Sequence, residues 1–257
     1  MTKTPAAKIP AMETSAAKTS AAKTPAAKTP AAKTPATETP TAKTPATETS
    51  ATKTRAGRPS PARLDRDTVV RAALEVLDES GVDAVSTRAV AARLGVRMNT
   101  VLWHVKTKAR LRELMADAVL AEVDLDALPE PWRDRAAELP RRLRRALLAH
   151  RDGAAVVTGT YAAEPATLRF SEALVGALLA GGFDDRRAAW TAWTLTYLTL
   201  GLVQEEQAAG AGDGARLADA LVPDLHPALH RTAHHLAPNA FAERLDFGVD
   251  LVLGAPR

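Results

Sequence analysis

From residue 64 onward, apolar side chains recur at intervals of three and four, and the recurrence continues almost to the C-terminus. Val69, Ala72, Ala73, Val76 and Leu77 form one stripe, with Arg71, Glu75, Asp78 and Glu79 elsewhere on the wheel. A 3.6-residue period of this kind predicts an amphipathic helix. Asp65 or Asp67 can accept from the free N–H groups at its start, and Gly81 stops it. Ser86 or Thr87 opens a second, short helix that runs to Leu94 and ends at Gly95. A third begins after Arg97 and reaches about His104. Thr107 caps a fourth, running to about Val123 through Leu111, Leu114, Met115, Ala118 and Leu120. Beyond the Pro129–Pro131 break, helices are predicted near 132–149, 165–180, 184–209 and 239–253, with shorter ones near 153–158, 214–221 and 227–236. No run shows the alternation of a strand framed by turn dipeptides. The predicted fold class is all-α.

Composition divides the chain before it is read further. Residues 1–63 carry eight Lys and three Arg against Glu13, Glu38 and Glu48, a net of +8, whereas the remaining 194 residues hold 23 basic and 27 acidic side chains, a net of −4. A charge recurs at every fifth position from Lys3 to Lys53, in units that read A-A-K-T-P. Proline at that spacing prevents a helix from propagating, and the near-absence of large apolar side chains leaves nothing to offset the entropy of ordering. A disordered basic arm is expected over 1–63. It is either a solvated spacer or a polycation that adds sequence-independent phosphate contacts. The absence of Cys excludes disulfides, thiolate metal sites and cysteine nucleophiles. The N-terminus lacks the apolar core of a signal peptide, and the longest uncharged stretch, Ala188–Gln204, is interrupted by Thr and too short for a bilayer span, so a soluble cytoplasmic protein with no membrane partner is expected.

Helices two and three are each about two turns long and are joined by Leu94-Gly95-Val96-Arg97, the layout of a helix-turn-helix. Between Ala84 and Arg112 stand seven basic residues (Arg88, Arg93, Arg97, Lys106, Lys108, Arg110 and Arg112) and no acid, while six acids crowd into residues 65–83. A small bundle with one cationic face suits a polyanionic partner. The third helix opens on Met98, Asn99 and Thr100, side chains short enough to approach base edges or phosphates, and Trp103 and His104 can donate to the sugar–phosphate backbone.

Residues 64–123, with S-T-R-A-V-A-A-R-L-G-V and L-W-H-V-K-T-K followed by a long Leu-rich helix, resemble the DNA-binding domain of the tetracycline repressor (TetR) family. L-L-A-H-R-D-G-A-A-V-V-T-G-T (147–160) and T-Y-L-T-L-G-L-V-Q-E-E-Q (196–207) resemble the ligand-binding domain of tetracycline repressors themselves. The resemblance implies a homodimer that binds double-stranded operator DNA through a helix-turn-helix head and is released by a small-molecule effector. It implies a head at 64–110 and a ligand-binding and dimerisation domain at 111–257. Carried over by position, Arg88 and Thr100 contact bases or phosphates, Trp103, His104 and Lys108 hold phosphates, and Met98 and Asn99 tune sequence choice; Arg97 and Lys106 are expected among the DNA-binding residues as well. Met98 stands where tetracycline repressors use a base-reading Gln, and Leu102 where they use Tyr, so a different operator is expected.

Tetracycline repressors chelate drug-bound Mg²⁺ through one His just before an L-G-T turn. That position is Val157 here, and Val cannot coordinate a hard cation. Asp124, Leu139 and Leu174 stand where the drug's polar edge is held, mostly changed in type, and Tyr197 takes the place of a His. No cofactor or metal is expected. The implied pocket is lined by Leu143, Val157, Thr160, Leu174, Trp190 or Trp193, Tyr197 and Glu205, which suits a largely apolar compound. The same aromatics could instead pack a dimer interface. His226, His230, His234 and His235 include two i,i+4 pairs without interleaved carboxylates and read as a solvated helix.

Enzyme classes find little support. His150-Arg151-Asp152 echoes a kinase catalytic loop without its downstream Asn, Gly-rich loop or strand Lys, and the Gly210–Gly214 cluster follows no strand. The expected function is a ligand-responsive DNA-binding repressor; the alternative is a nucleoid-associated architectural protein dominated by the basic arm.

Overall fold

The computed structural model describes residues 64–160, 163–210, 213–236 and 240–254. The expected disordered arm, 1–63, lies outside the described residues, all of which belong to one compact unit. The described residues are helical throughout, with no strand among them. In chain order the helices are α1 (Arg66–Ser80), α2 (Thr87–Arg93), α3 (Met98–Val105), α4 (Lys108–Ala121), α5 (Trp132–Leu148), α6 (Gly153–Val157), α7 (Pro165–Ala180), α8 (Asp185–Ala208), α9 (Asp213–Ala220), α10 (Pro227–Leu236) and α11 (Phe241–Leu253), with a 3₁₀ turn at Val82–Ala84. Among the described residues, no helix is long and apolar enough to cross a membrane.

Local chemistry sets the boundaries of the first four helices. Asp65 accepts from Thr68 N–H at 2.8 Å, Ser86 from Ala89 N–H at 3.1 Å and Thr107 from Arg110 N–H at 3.0 Å, each satisfying a donor that the first turn leaves free. Gly81 ends α1 at φ +83° and donates to Leu77 O at 2.7 Å. These caps fix where α1, α2 and α4 begin. They do not say how the helices pack.

Packing joins the helices into two groups that share α4. In the first, Val69, Ala73 and Leu77 of α1, Val90 of α2, Val101 and Val105 of α3 and Leu111 of α4 are fully buried. In the second, α5, α7, α8 and α11 bury Leu139, Leu143, Leu147, Leu174, Leu178, Leu195, Leu245 and Val249, and α4 adds Met115 and Val119. Each buried Leu or Val contributes roughly 1.5–3 kcal/mol relative to exposure. The turn between α7 and α8 is closed by Trp132 against Phe183, edge to face with centroids 5.6 Å apart, and the Trp132 ring lies so close to Gly181 that a Cβ there would meet it at 2.5 Å. Helices α9 and α10 pack on one another.

Two glycines separate crowding from propensity. A Cβ at Gly153 would overlap the Leu147 carbonyl oxygen, whereas one at Gly176, exposed on α7, would meet nothing within 4 Å. Gly153→Ala is therefore expected to cost about 1–3 kcal/mol through forced backbone movement, and Gly176→Ala to gain about 0.5–1 kcal/mol through helix propensity. Urea denaturation of both variants checks this; a Gly153→Ala midpoint at or above the wild-type value contradicts the packing.

Candidate nucleic-acid interface

The tight turn between α2 and α3 decides where α3 points. Gly95 adopts φ +64° and donates to Ala92 O at 3.1 Å, while Val96 donates to Ala91 O at 3.0 Å, the paired bonds that close a helix C-terminus through a left-handed residue. Leu94 and Val96 pack against the head core. Helix α3 then buries Val101 and Val105 and presents Met98, Asn99, Thr100 and Trp103 outward. Trp103 is 71% exposed. Its indole meets the half-buried His104 ring edge to face at 4.8 Å, and the Lys106 ammonium lies 5.4 Å from its centroid. A polar, cationic, aromatic face two turns long is shaped to enter a major groove and donate to phosphates at its rim.

Geometry sorts the seven basic residues of 84–112 into two sets. Arg93 bonds Glu75 at 2.6 Å and Glu79, which ties α2 to α1 and holds the Glu79 carboxyl below the usual carboxylate range. Arg110 pairs with Glu164 at 2.7 Å and Glu113 at 2.9 Å. Arg112 donates to the carbonyl oxygens of Val156 at 3.1 Å and Thr158 at 2.8 Å, and to that of Ala155, capping the C-terminal end of α6. Arg88, Arg97, Lys106 and Lys108 are exposed and make no ion pair with any described residue. These four cations border the face of α3, and all four stand among the residues expected from sequence to contact DNA.

The residues expected to line a pocket are brought together only in part. Leu143 and Leu174 are fully buried where α5 meets α7, with Leu139 and Leu178 beside them. Val157 and Thr160 are half-buried at the end of α6, with the Thr160 hydroxyl donating to Val157 O at 2.7 Å. Trp193 and Tyr197 differ from that expectation. They stack on each other at 5.3 Å on a face of α8 that is 48% and 53% exposed, on the side opposite Leu195 and Thr199. The reason is the 100° step of the helix, which sends residues two positions before and after Leu195 to the far side. Glu205 is exposed as well.

Sequence reasoning missed Thr199, the buried polar side chain of α8, whose hydroxyl donates to Leu195 O at 2.8 Å. It also gave the His150-Arg151-Asp152 turn after α5 no partners. His150 lies 3.0 Å from Asp78 through Nδ1 and 3.0 Å from Glu122 through Nε2, Arg151 N–H donates to Asp78 at 3.1 Å, and Asp152 accepts from Val82 N–H at 2.9 Å. These partners stand 28 to 73 residues away in sequence, so no local signal announces them. Among the four C-terminal histidines, His226 Nδ1 accepts from Val222 N–H at 3.2 Å, and the rings of His234 and His235 lie 3.7 Å apart.

Comparison with known proteins places this geometry. Residues 69–115 match the family described as bacterial regulatory proteins, tetR family, and residues 126–253 match the tetracyclin repressor-like C-terminal domain. The class G tetracycline repressor of Vibrio anguillarum is 34% identical over 204 residues, covering 76% of this chain and 95% of its own. A possible TetR family transcriptional regulator from Streptomyces coelicolor A3(2) superposes with a TM-score of 0.66 at 36% identity, covering 74% of this chain and 97% of its own. ActR from Streptomyces coelicolor, solved in complex with actinorhodin, superposes with a TM-score of 0.68 at 28% identity, over 75% of this chain and 96% of its own.

The two sets of basic residues are expected to behave differently toward duplex DNA. Arg88→Ala and Lys108→Ala should each weaken binding and reduce the slope of log affinity against log salt by about 1. Arg93→Ala should leave that slope as it is, because its charge is already spent on Glu75 and Glu79. Fluorescence anisotropy across a salt series measures the slopes, and equal losses for Arg88→Ala and Arg93→Ala would contradict the sorting.

Proposed function

The chain belongs to the TetR family of bacterial regulatory proteins, and on that premise we propose that it is a ligand-responsive repressor that leaves a palindromic operator when a largely apolar small molecule binds. Proteins of this family act by binding DNA and are in general not enzymes. The observation that carries the reading is the outward face of α3 bordered by Arg88, Arg97, Lys106 and Lys108, cations that no carboxylate of the described residues neutralises. In this reading residues 64–110 are the DNA-binding head and 111–257 the effector and dimerisation domain. Met98, Asn99 and Thr100 read bases, while Trp103, His104 and the four cations hold the backbone. A cytoplasmic location follows from the target.

The effector reading rests on what surrounds Leu143 and Leu174. The buried side chains of α5 and α7 are apolar, Phe170 among them, and the Thr199 hydroxyl is turned back onto its own helix. Val157, at the end of α6, offers neither oxygen nor imidazole to a metal-chelated drug. ActR is solved in complex with actinorhodin; that likeness supports an organic compound as the effector class, and Val157 supports its binding without metal.

Two copies are needed to span a palindrome. Helices α8 and α11 pack so closely that a Cβ at Gly248 would meet Leu198 at 2.7 Å, and both present large apolar side chains to solvent: Trp190, Trp193 and Tyr197 on α8, Phe247 (68% exposed) and Leu251 (66%) on α11. Apolar surface of this extent on two adjacent helices favours a self-complementary interface. Trp193 and Tyr197 then belong to that interface, the second of the two roles the sequence allows them.

The basic arm supports a second reading. With a net of +8 over 1–63, it can add phosphate contacts that ignore sequence and hold the protein on the nucleoid.

Footprinting on the DNA flanking the coding region should reveal two half-sites about one helical turn apart. Light scattering should give twice the 27.2 kDa chain mass, and Phe247→Arg with Leu251→Arg should halve it and abolish the footprint. A monomeric wild type, or equal affinity for any duplex after removal of residues 1–53, refutes the repressor and leaves the architectural reading. Tetracycline should release the operator neither with nor without Mg²⁺; release at micromolar drug only with metal overturns the effector class.

A further inference from the structure

The His150-Arg151-Asp152 turn is the motif that neither catalysis nor DNA binding absorbs, and its side chains reach the head from the effector domain. His150 sits at the foot of α5, its side chain 11% exposed, with Asp78 near the end of α1 on one ring nitrogen and Glu122 at the end of α4 on the other. Carboxylates accept hydrogen bonds and do not donate them. A neutral imidazole carries one N–H and one lone pair, so it can satisfy one of these carboxylates and must turn its lone pair on the other. Only the doubly protonated ring donates to both.

The rest of the surroundings is already committed. From α1, Glu79 is held by Arg93; from the turn, Arg151 N–H donates to Asp78 and Asp152 takes Val82 N–H. Beyond α4, Asp124 lies 3.6 Å from Arg142; on α5, Arg145 bonds Glu138 at 2.9 Å; on α8, Glu206 is bound by Arg144. Also from α8, Gln207 donates to His150 O at 2.7 Å and accepts from Ala154 N–H at 3.1 Å, fixing the backbone of the turn to the effector domain. The turn is therefore rigid on the body side, and its imidazole is what reaches both α1 and α4.

We propose that His150 is a proton-operated strut: with both ring nitrogens protonated it ties α1 to α4 at the base of the head, and release of one proton frees one of the two ties. Burial is the largest single influence on the ring and opposes its charge, but hydrogen bonds and attraction from Glu122 and Asp78 together outweigh it, so the proton is held above the ordinary imidazole range. A group whose folded-state affinity for its proton is raised contributes stability that is complete below the unfolded value, near 6.5, and is lost as pH rises through the raised folded value. Physiological acidification is then a second input to a repressor whose first is its effector. A tied head is already ordered for docking and a freed one must be ordered on binding, so operator affinity falls as pH rises, by at most about 10-fold per pH unit for one proton. The operator part of this inference rests on the repressor reading; the strut itself does not.

The test uses the full-length chain and three readouts. Imidazole NMR should place the His150 midpoint above that of a free histidine, and Asp78→Asn and Glu122→Gln should each lower it. Thermal melts should show wild-type protein more stable than His150→Gln at low pH, with the gap closing as pH rises through that midpoint. Operator affinity should fall several-fold between about pH 6 and 8, and should fall less in His150→Gln than in the wild type. A His150 that titrates as a free imidazole, or a pH slope that His150→Gln leaves unchanged, overturns the strut. A chain that binds no operator at any pH refutes the repressor reading instead, while the NMR and melting profiles still decide the strut.

Discussion

Helix α4 belongs to two hydrophobic cores at once, and that double membership governs the rest of the molecule. Its first turns bury Leu111 and Leu114 against α1 and α3, and its later turns bury Met115 and Val119 where α5, α6 and α7 arrive. At 1.5 Å per residue its fourteen residues form a rod about 21 Å long. Packed interiors do not deform smoothly, so a displacement at one end of such a rod is delivered to the other rather than absorbed. The head cannot reorient without disturbing the effector side, and the reverse holds equally.

Polar contacts at the two ends of that rod convert the shared helix into a coupling. Arg112 holds the last carbonyls of α6, the short helix that ends at Val157 beside the expected effector residues. At the far end Glu122 meets His150. Such contacts add little to stability when exposed, but their value here is geometric: Arg112 ties α4 to the backbone of α6, and Glu122 ties it to the His150 side chain, which also meets Asp78 of α1. Arg88, Arg97, Lys106 and Lys108, the cations proposed to meet DNA, pair with no carboxylate of the described residues, while Glu75 and Glu79 are engaged by Arg93.

Much of this was legible in the sequence, and the reasons differ by level. Helix boundaries fall within about two residues of those expected from periodicity and caps, because Asp65, Ser86, Thr107 and Gly81 act on their immediate neighbours. The outward face of α3 was legible for the same reason: Gly95 and the short helices flanking it fix the turn locally. The pocket was not. Position along α8 gives Trp193 and Tyr197 a place on the wheel, but which side of the wheel meets α5 and α7 is settled only by packing, and they lie on the other side.

The sequence by itself determined the helices, their ends, the turn that aims α3 and the excess of cations around it, since all of these arise from interactions spanning a few residues. Tertiary structure decided which cations stay available and which helix faces remain exposed. It also decided that His150 stands between Asp78 and Glu122. Charge pairing and burial join side chains up to 117 positions apart, and no spacing rule along the chain encodes a distance in space.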